Sequence, residues 1–177
     1  MNKEEKRKEF ISWIKIIVFA VVVAFIVNNF IVVNATIPSC SMEPAIMTGD
    51  RLWAFRLSYL FEEPQRGDIV VFKWPDDEKK LFVKRIIGMP GDSVEIYGGA
   101  VYINGEKFEE DYLNEDMSKE GIWGVYEVPE GAYFVLGDNR NWSEDARYWE
   151  NTYVYKDKIV GKAFLKYFPK IEWLGDK

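Results

Sequence analysis

A long apolar segment near the amino terminus constrains the fold of this chain more than any other feature. Residues 16–27 are apolar without interruption, and after Asn28 and Asn29 the apolar run continues to residue 33. A helix over residues 13–33 has 21 residues. That length is sufficient to cross a hydrocarbon layer of about 30 Å. The segment therefore predicts a helix that spans a membrane.

We predict a transmembrane anchor over residues 11–33, which makes the lipid bilayer a partner of this chain. Basic residues precede the anchor at positions Lys3, Lys6, Arg7 and Lys8. Positive charge is typical of the cytoplasmic side of a membrane helix. We expect residues 1–10 to lie in the cytoplasm and residues 34–177 outside, in a single-pass protein of the plasma membrane.

Two other interpretations of the apolar segment stay open at this point. It could be a helix buried in the core of the protein. It could also be a cleaved signal peptide, because Val33 and Ala35 suit positions −3 and −1 of a processing site.

The chain beyond the anchor has the pattern of β-strands. Short runs rich in β-branched and aromatic residues occur at 51–55, 68–74, 81–88, 93–97, 100–103, 132–136 and 160–168. Asn104-Gly105 between two of these runs is typical of a type I′ hairpin, and Gly98-Gly99 lies just upstream. We predict a three-strand meander over residues 93–108, and a mainly β domain of antiparallel sheet over residues 34–177.

Composition excludes several classes of function. The net charge is −6 and no basic tract is present, so nucleic acid is not expected as a partner. The acidic stretch at residues 108–111 is expected to be a solvated loop. Cys40 is the only cysteine and the chain has no histidine, so no internal disulfide and no histidine-based metal site can form. We expect no metal and no cofactor.

The absence of histidine also limits nucleophilic catalysis. A Ser-His-Asp triad is excluded, so a serine nucleophile would need a lysine, a carboxylate or the amino terminus as its base. Lys84 shares one face of the strand at 81–87 with Phe82 and Ile86. Burial between apolar groups lowers the pKa of a lysine and makes its neutral amine available as a base. Taken alone, a lysine in a strand is more often a solvated charge at a sheet edge.

Several motifs occur together in one order along the chain. They are the serine turn Ile37-Pro38-Ser39-Cys40-Ser41-Met42-Glu43-Pro44, the strand at 66–72, the segment Lys84-Arg85-Ile86-Ile87-Gly88-Met89-Pro90-Gly91-Asp92 and the loop that begins Gly137-Asp138-Asn139-Arg140. In this order, and after an anchor, they resemble the type I signal peptidases. The resemblance extends from the anchor to about residue 168, and the short stretch from 92 to 131 is typical of the compact bacterial form.

The resemblance assigns roles to particular residues. It implies that Ser41 is the nucleophile, that Lys84 is the general base, and that Ser39 and the backbone N–H of Ser41 form the oxyanion hole. It also implies that Ser143 hydrogen-bonds the base and aims it. Supporting ion pairs are implied for Asp145 with Arg147 and for Arg85 with Asp138, and Ile37 and Val83 are expected to line the substrate pockets.

The function implied by the resemblance is that of a membrane-bound serine endopeptidase. Its substrates would be exported preproteins, from which it would remove the amino-terminal signal peptide by cleaving after small residues at −1 and −3, as in Ala-x-Ala sites. The sequence departs from the family pattern at Cys40, Asn141, Trp142 and Ala146, none of which is assigned to the chemistry.

Three competing interpretations remain. Cys40 could be the nucleophile, although it has no histidine partner. A self-cleaving repressor-type protease shares the serine and lysine, but its soluble, DNA-binding context does not suit the anchor or the charge. A membrane-tethered β-module that binds an external partner is the non-enzymatic alternative, and it predicts that Ser41 and Lys84 lie far apart or that Lys84 is solvated.

Overall fold

The computed structural model describes residues 3–120 and 124–175. Helix α1 spans Lys3–Ile26 and continues as a π-helical turn over Val27–Ile31. The stretch Arg7–Ile31, of 25 residues, is long and apolar enough to cross a membrane, and none of it is buried against the rest of the protein. It contains neither glycine nor proline, so its backbone polar groups can be satisfied within the helix, as a membrane span requires.

The anchor ends earlier than the sequence predicted. The backbone becomes extended at Val32, and strand β1 spans Val32–Thr36. The predicted end at residue 33 was therefore wrong by two residues. Val32 and Val33 are apolar for another reason: they belong to a sheet, and Val33 packs in its core with 5% exposure. Hydrophobicity alone cannot separate the last turn of a membrane helix from the first residues of a buried strand.

The position of β1 bears on both alternatives for the apolar segment. A buried core helix does not match the exposure of Arg7–Ile31. Cleavage after Ala35 would remove most of a paired strand, because Val33 and Ala35 pair with Ala54 and Leu52 of the neighbouring strand. The structure therefore favours an uncleaved anchor.

The rest of the described chain is mainly β. Its strands are β2 (Arg51–Phe55), β3 (Ile69–Trp74), β4 (Asp77–Gly88), β5 (Ser93–Tyr97), β6 (Ala100–Ile103), β7 (Glu106–Lys107), β8 (Gly124–Glu127), β9 (Ala132–Leu136), β10 (Val154–Tyr155), β11 (Ile159–Phe168) and β12 (Glu172–Trp173). Helix α2 (Ser58–Phe61) and a 3₁₀ turn at Lys156–Lys158 are the short helical elements of the described domain.

The strands form two antiparallel sheets, which confirms the predicted fold class. The larger sheet has the order β1-β2-β11-β3-β4-β9-β10, with β12 paired to β11, and the smaller sheet has the order β7-β6-β5-β8. The predicted meander corresponds to β5, β6 and β7, with Asn104 and Gly105 at positive φ as a type I′ turn requires. The sequence did not predict β8, which pairs with β5.

Two hydrophobic clusters pack the two sheets together and fix the turn after β1 on the larger sheet. One contains Ile86, Val94, Ile96, Phe134 and Val135, and joins the smaller sheet to β4 and β9 of the larger one. The other packs the turn after β1 against β2 and β3 through the buried side chains Ile37, Met42, Ile46, Leu52 and Val71.

The pairing of β4 leaves one of its edges available near its middle. Residues Leu81 to Arg85 of β4 pair with β3 on one side. On the other side, β9 pairs with β4 only over Arg85 to Gly88. The chain after β9 leaves the sheet as a loop over residues 137–149, called here the 137–149 loop. Residues 81–84 therefore face a space between this loop and the end of β1.

Candidate active site

The serine turn after β1 is fixed by the core and by its own backbone. The Ile37 N–H donates to the Asp50 carbonyl at 3.0 Å, and the Gly49 N–H donates to the Ile37 carbonyl at 2.8 Å. Met42 and Ile46 are 1% and 0% exposed. These contacts on both sides of Ser41 give its side chain a defined position at the edge of the sheet.

Lys84 reaches this serine from β4. Its Nζ donates to the Ser41 Oγ at 2.6 Å, and Lys84 is only 3% exposed. Burial lowers the pKa of Lys84 from 10.5 to about 8, although Asp145 and Asp138 favour the charged form by attraction. A substantial fraction of the amine is therefore neutral at moderately alkaline pH, and a neutral amine in this position can accept the serine proton.

Ser39 stands beside the same hydroxyl. The Ser39 Oγ lies 3.3 Å from the Ser41 Oγ, in a partly buried position. A hydroxyl this close to the serine oxygen is well placed to donate to an oxygen on a carbon that Ser41 attacks. Such fixed donors stabilise developing negative charge.

The 137–149 loop contacts the serine turn through Asn139. The Asn139 N–H donates to the Ser41 carbonyl at 3.1 Å, and its side-chain Nδ2 donates to the Cys40 carbonyl at 3.1 Å. The sequence did not single out this asparagine. Its place in the Gly137–Arg140 motif was the available signal, but nothing local indicates that its partners lie about a hundred residues earlier.

Two buried ion pairs hold the base of this loop. Arg85 Nε and Nη2 donate to both carboxylate oxygens of Asp138 at 2.8 and 2.7 Å, and both side chains are 0% exposed. Arg147 donates to Asp145 at 2.8 and 2.9 Å. The Asp145 carboxylate also accepts the Gly137 N–H at 3.0 Å. The structure thus brings together both residue pairs that the sequence had grouped.

Ser143 is placed near the site but without its expected partner. Its Oγ is buried and has no hydrogen-bond partner among the described residues, so the hydrogen bond predicted from Ser143 to Lys84 is not formed in this structure. A Cβ at Gly137 would lie 2.2 Å from the Ser143 Oγ and 2.4 Å from the Ser41 carbonyl oxygen. Only glycine allows the loop and the serine turn to approach this closely.

A cleft of about 580 Å³ opens over the serine and the lysine. Both residues predicted to line the pockets, Ile37 and Val83, line this cleft. Trp142 and Glu144 of the loop also line it, and Trp142 is 73% exposed. Among residues 3–120 and 124–175, no group of three metal-binding side chains is assembled.

A serine and a buried lysine in contact below a cleft of a β fold are typical of a serine protease, and comparisons with known proteins define the family. A family model described as signal peptidase, peptidase S26, matches residues 10–168. The chain belongs to the bacterial type I signal peptidases, which are hydrolases that remove signal peptides by a serine-protease reaction.

Several relatives are similar to this chain over most of their length. A probable signal peptidase I-2 of Synechocystis sp. is 42% identical over 161 residues, which cover 88% of this chain and 72% of the relative. The signal peptidase I of Bacillus licheniformis is 36% identical, with 93% and 91% covered. A crystal structure of a signal peptidase I from Enterococcus faecalis V583 matches with a TM-score of 0.50 at 35% identity, covering 57% of this chain and 97% of that one.

Proposed function

We propose that this chain is a membrane-bound serine endopeptidase in which Ser41 is the nucleophile and the neutral amine of Lys84 is the general base. One observation carries the proposal: the Lys84 Nζ lies 2.6 Å from the Ser41 Oγ. The same contact weighs against a non-enzymatic β-module, for which the two residues would lie apart or the lysine would be solvated. Cys40 is not among the residues of the described chain that line the cleft.

The proposed reaction proceeds through an ester with Ser41. Neutral Lys84 accepts the hydroxyl proton while the Ser41 Oγ attacks the carbonyl carbon of the scissile bond. The Ser39 hydroxyl and the Ser41 backbone N–H donate to the oxygen that becomes negative. The ammonium of Lys84 then gives its proton to the departing amine, which leaves as the new amino terminus of the mature protein. Water, activated by the same lysine, hydrolyses the ester and releases the signal peptide.

The cleft supports recognition of an extended chain with small side chains. Residues 81–84 have β3 on one side and no strand on the other, and β1 is the outer strand of the sheet. A substrate in an extended conformation could pair with these strand edges, so that its alternate side chains point into the cleft. Ile37 and Val83 line the cleft there, and we expect them to exclude bulky side chains at −1 and −3.

The anchor and the exposed aromatic residues support a site at the lipid surface. Trp53, Phe168 and Trp173 are 39%, 52% and 66% exposed. They belong to β2, β11 and β12, the part of the sheet that β1 joins to the anchor. Indole rings favour the interface between lipid and water. Basic residues before the anchor support a cytoplasmic amino terminus, with the β domain outside. A preprotein that is still held in the membrane by its signal segment would then meet the cleft at high effective concentration.

Cleavage of a purified preprotein, with the cut mapped by mass, tests the assignment. Ser41→Ala and Lys84→Ala should each abolish cleavage, and the double variant should be no worse, because the two groups act as one unit. Cys40→Ser is the matched control, since it changes the adjacent residue of the same turn, and it should stay active. An inactive Cys40→Ser together with an active Ser41→Ala would overturn the assignment.

A further inference from the structure

The acidic stretch that the sequence predicted to be solvated is partly buried against the site. Residues 109–118, called here the strap, leave β7 and pass over the 137–149 loop. The side chain of Glu110 is only 6% exposed, and its partner Arg140 is 1% exposed. The expectation of a solvated loop was therefore wrong at Glu110. A carboxylate is rarely buried unless a cation accompanies it, and Arg140 is that cation.

Glu110 and Tyr112 contact two arginines of the site. Both carboxylate oxygens of Glu110 accept hydrogen bonds from the Arg140 guanidinium. The Tyr112 hydroxyl donates to Glu110. The ring of Tyr112 lies against the guanidinium of Arg85, 4.1 Å from its carbon to the ring centroid, a favourable cation–π arrangement.

These two arginines bind the two residues that precede Asn139. Arg85 binds Asp138 through both carboxylate oxygens, and the Arg140 Nε donates to the Gly137 carbonyl at 3.0 Å. Directly after these residues, the Asn139 N–H donates to the Ser41 carbonyl. The contacts of the strap therefore lead to the Ser41 carbonyl by two paths. Glu110 acts through Arg140 and Asn139, and Tyr112 acts through Arg85, Asp138 and Asn139.

The strap has a second attachment further along the same loop. The Asn141 side chain donates to the Glu115 carboxylate at 2.9 Å and to the Asp116 carbonyl at 3.1 Å, and it accepts the Ser118 N–H at 2.8 Å. Met117, which is 6% exposed, packs in the core between these residues. The strap is therefore attached to the loop near both of its ends, at residues 110–112 and at residues 115–118, and not at a single point.

We propose that Glu110 and Tyr112 are positioning residues for the catalytic serine and lysine. They hold Arg140 and Arg85, which keep the segment around Asn139 in place, and this segment keeps Ser41 within hydrogen-bond distance of Lys84. Neither residue lines the described cleft, so their effect passes through the arginines and not through contact with substrate. The inference rests on the proposed roles of Ser41 and Lys84.

Steady-state cleavage of a preprotein by the full chain in detergent, with kcat and KM measured separately, tests this role. Glu110→Gln removes the counter-charge of Arg140 with little change in size. Tyr112→Leu removes the ring from Arg85, whereas Tyr112→Phe keeps it. Asp111→Asn is the matched control, because it makes the same charge change at the adjacent exposed position of the strap.

Displacement of reacting groups by about 1 Å can lower a rate about 100-fold. We therefore expect kcat to fall at least about tenfold in Glu110→Gln and in Tyr112→Leu. The KM of each variant should stay within about twofold of the wild-type value, since neither residue is expected to contact the substrate. Tyr112→Phe should keep most of kcat, and Asp111→Asn should match the unchanged chain. The folded fraction of each variant is measured by tryptophan fluorescence, and activities are expressed per folded molecule.

Wild-type kcat in both variants would overturn the proposal, as would a rise in KM alone or equal losses in Tyr112→Phe and Tyr112→Leu. If Glu110→Gln does not fold, the comparison of the two Tyr112 variants decides. Ser41→Ala is assayed beside them. Cleavage by that variant would refute the assignment of Ser41 as the nucleophile. This outcome can be told apart from the results of the strap variants.

Discussion

Replacing Lys84 with methionine should inactivate the protein and stabilise its fold at neutral pH. Lys84 is 3% exposed, and burial lowers its pKa from 10.5 to about 8 in the folded protein. One pH unit corresponds to about 1.4 kcal/mol, so this lowering disfavours the folded state by about 3 kcal/mol when the lysine is charged in both states. Methionine has a similar length and no charge, and it removes this penalty.

The sign of the effect depends on pH. For a lysine with a lowered pKa, the penalty is fully present below the folded value of about 8, decreases between about 8 and 10.5, and is absent above 10.5. The variant also loses the hydrogen bond to Ser41, which contributes about 1 kcal/mol. We therefore expect Lys84→Met to be about 2 kcal/mol more stable at pH 7 and slightly less stable above pH 10.5.

Urea unfolding of the full chain in a nonionic detergent measures this difference. The chain has seven tryptophans, whose fluorescence reports unfolding at pH 7 and at about pH 11, the two limits between which the linkage acts. Lys73→Met is the matched control, since it removes an exposed lysine from the adjacent strand β3, and it should not show the stabilisation expected of Lys84→Met at pH 7. Equal or lower stability of Lys84→Met at pH 7 would refute the idea that the lysine is held in a desolvated site.

Three further outcomes are expected. Cleavage, measured as kcat/KM against pH, should rise through about pH 8 as Lys84 becomes neutral; a flat profile would contradict the lysine as base. Gly137→Ala should lower both stability and activity, because its Cβ would lie 2.4 Å from the Ser41 carbonyl oxygen. Gly175→Ala, where a Cβ meets open space, should change neither quantity. Protease added outside intact cells should reach only residues 34–177, while an amino-terminal tag stays protected; digestion of the tag would reverse the proposed orientation.

Strands bounded by turn residues were predicted well from the sequence. The bounds of β2, β5, β6 and β9 are those expected from the runs at 51–55, 93–97, 100–103 and 132–136. Glycine and proline dihedral preferences mark such boundaries locally. The start of β1 could not be predicted in this way, because Val32 and Val33 continue the apolar run of the anchor. The two-residue strands β10 and β12 carry too little pattern of their own to be recognised.

The sequence by itself determined a helix that is long and apolar enough to cross a membrane, the antiparallel β class and the residue types available to a site. The lack of histidine, the serine turn and the alternation of Phe82, Lys84 and Ile86 all follow from neighbours along the chain. These features depend on local periods and residue chemistry, so they can be read without the fold.

Only the tertiary structure decided which groups meet. Lys84 and Ser41 are 43 positions apart, and Arg140 and Glu110 are 30 apart. Ser143 lies in the expected loop, yet its hydroxyl has no hydrogen-bond partner among the described residues. Glu110 lies in an acidic stretch that the sequence predicted to be solvated, yet its side chain is buried. Burial and partner choice depend on how distant segments pack. For this reason the environment that lowers the pKa of Lys84 exists only once β4, the serine turn and the 137–149 loop are assembled.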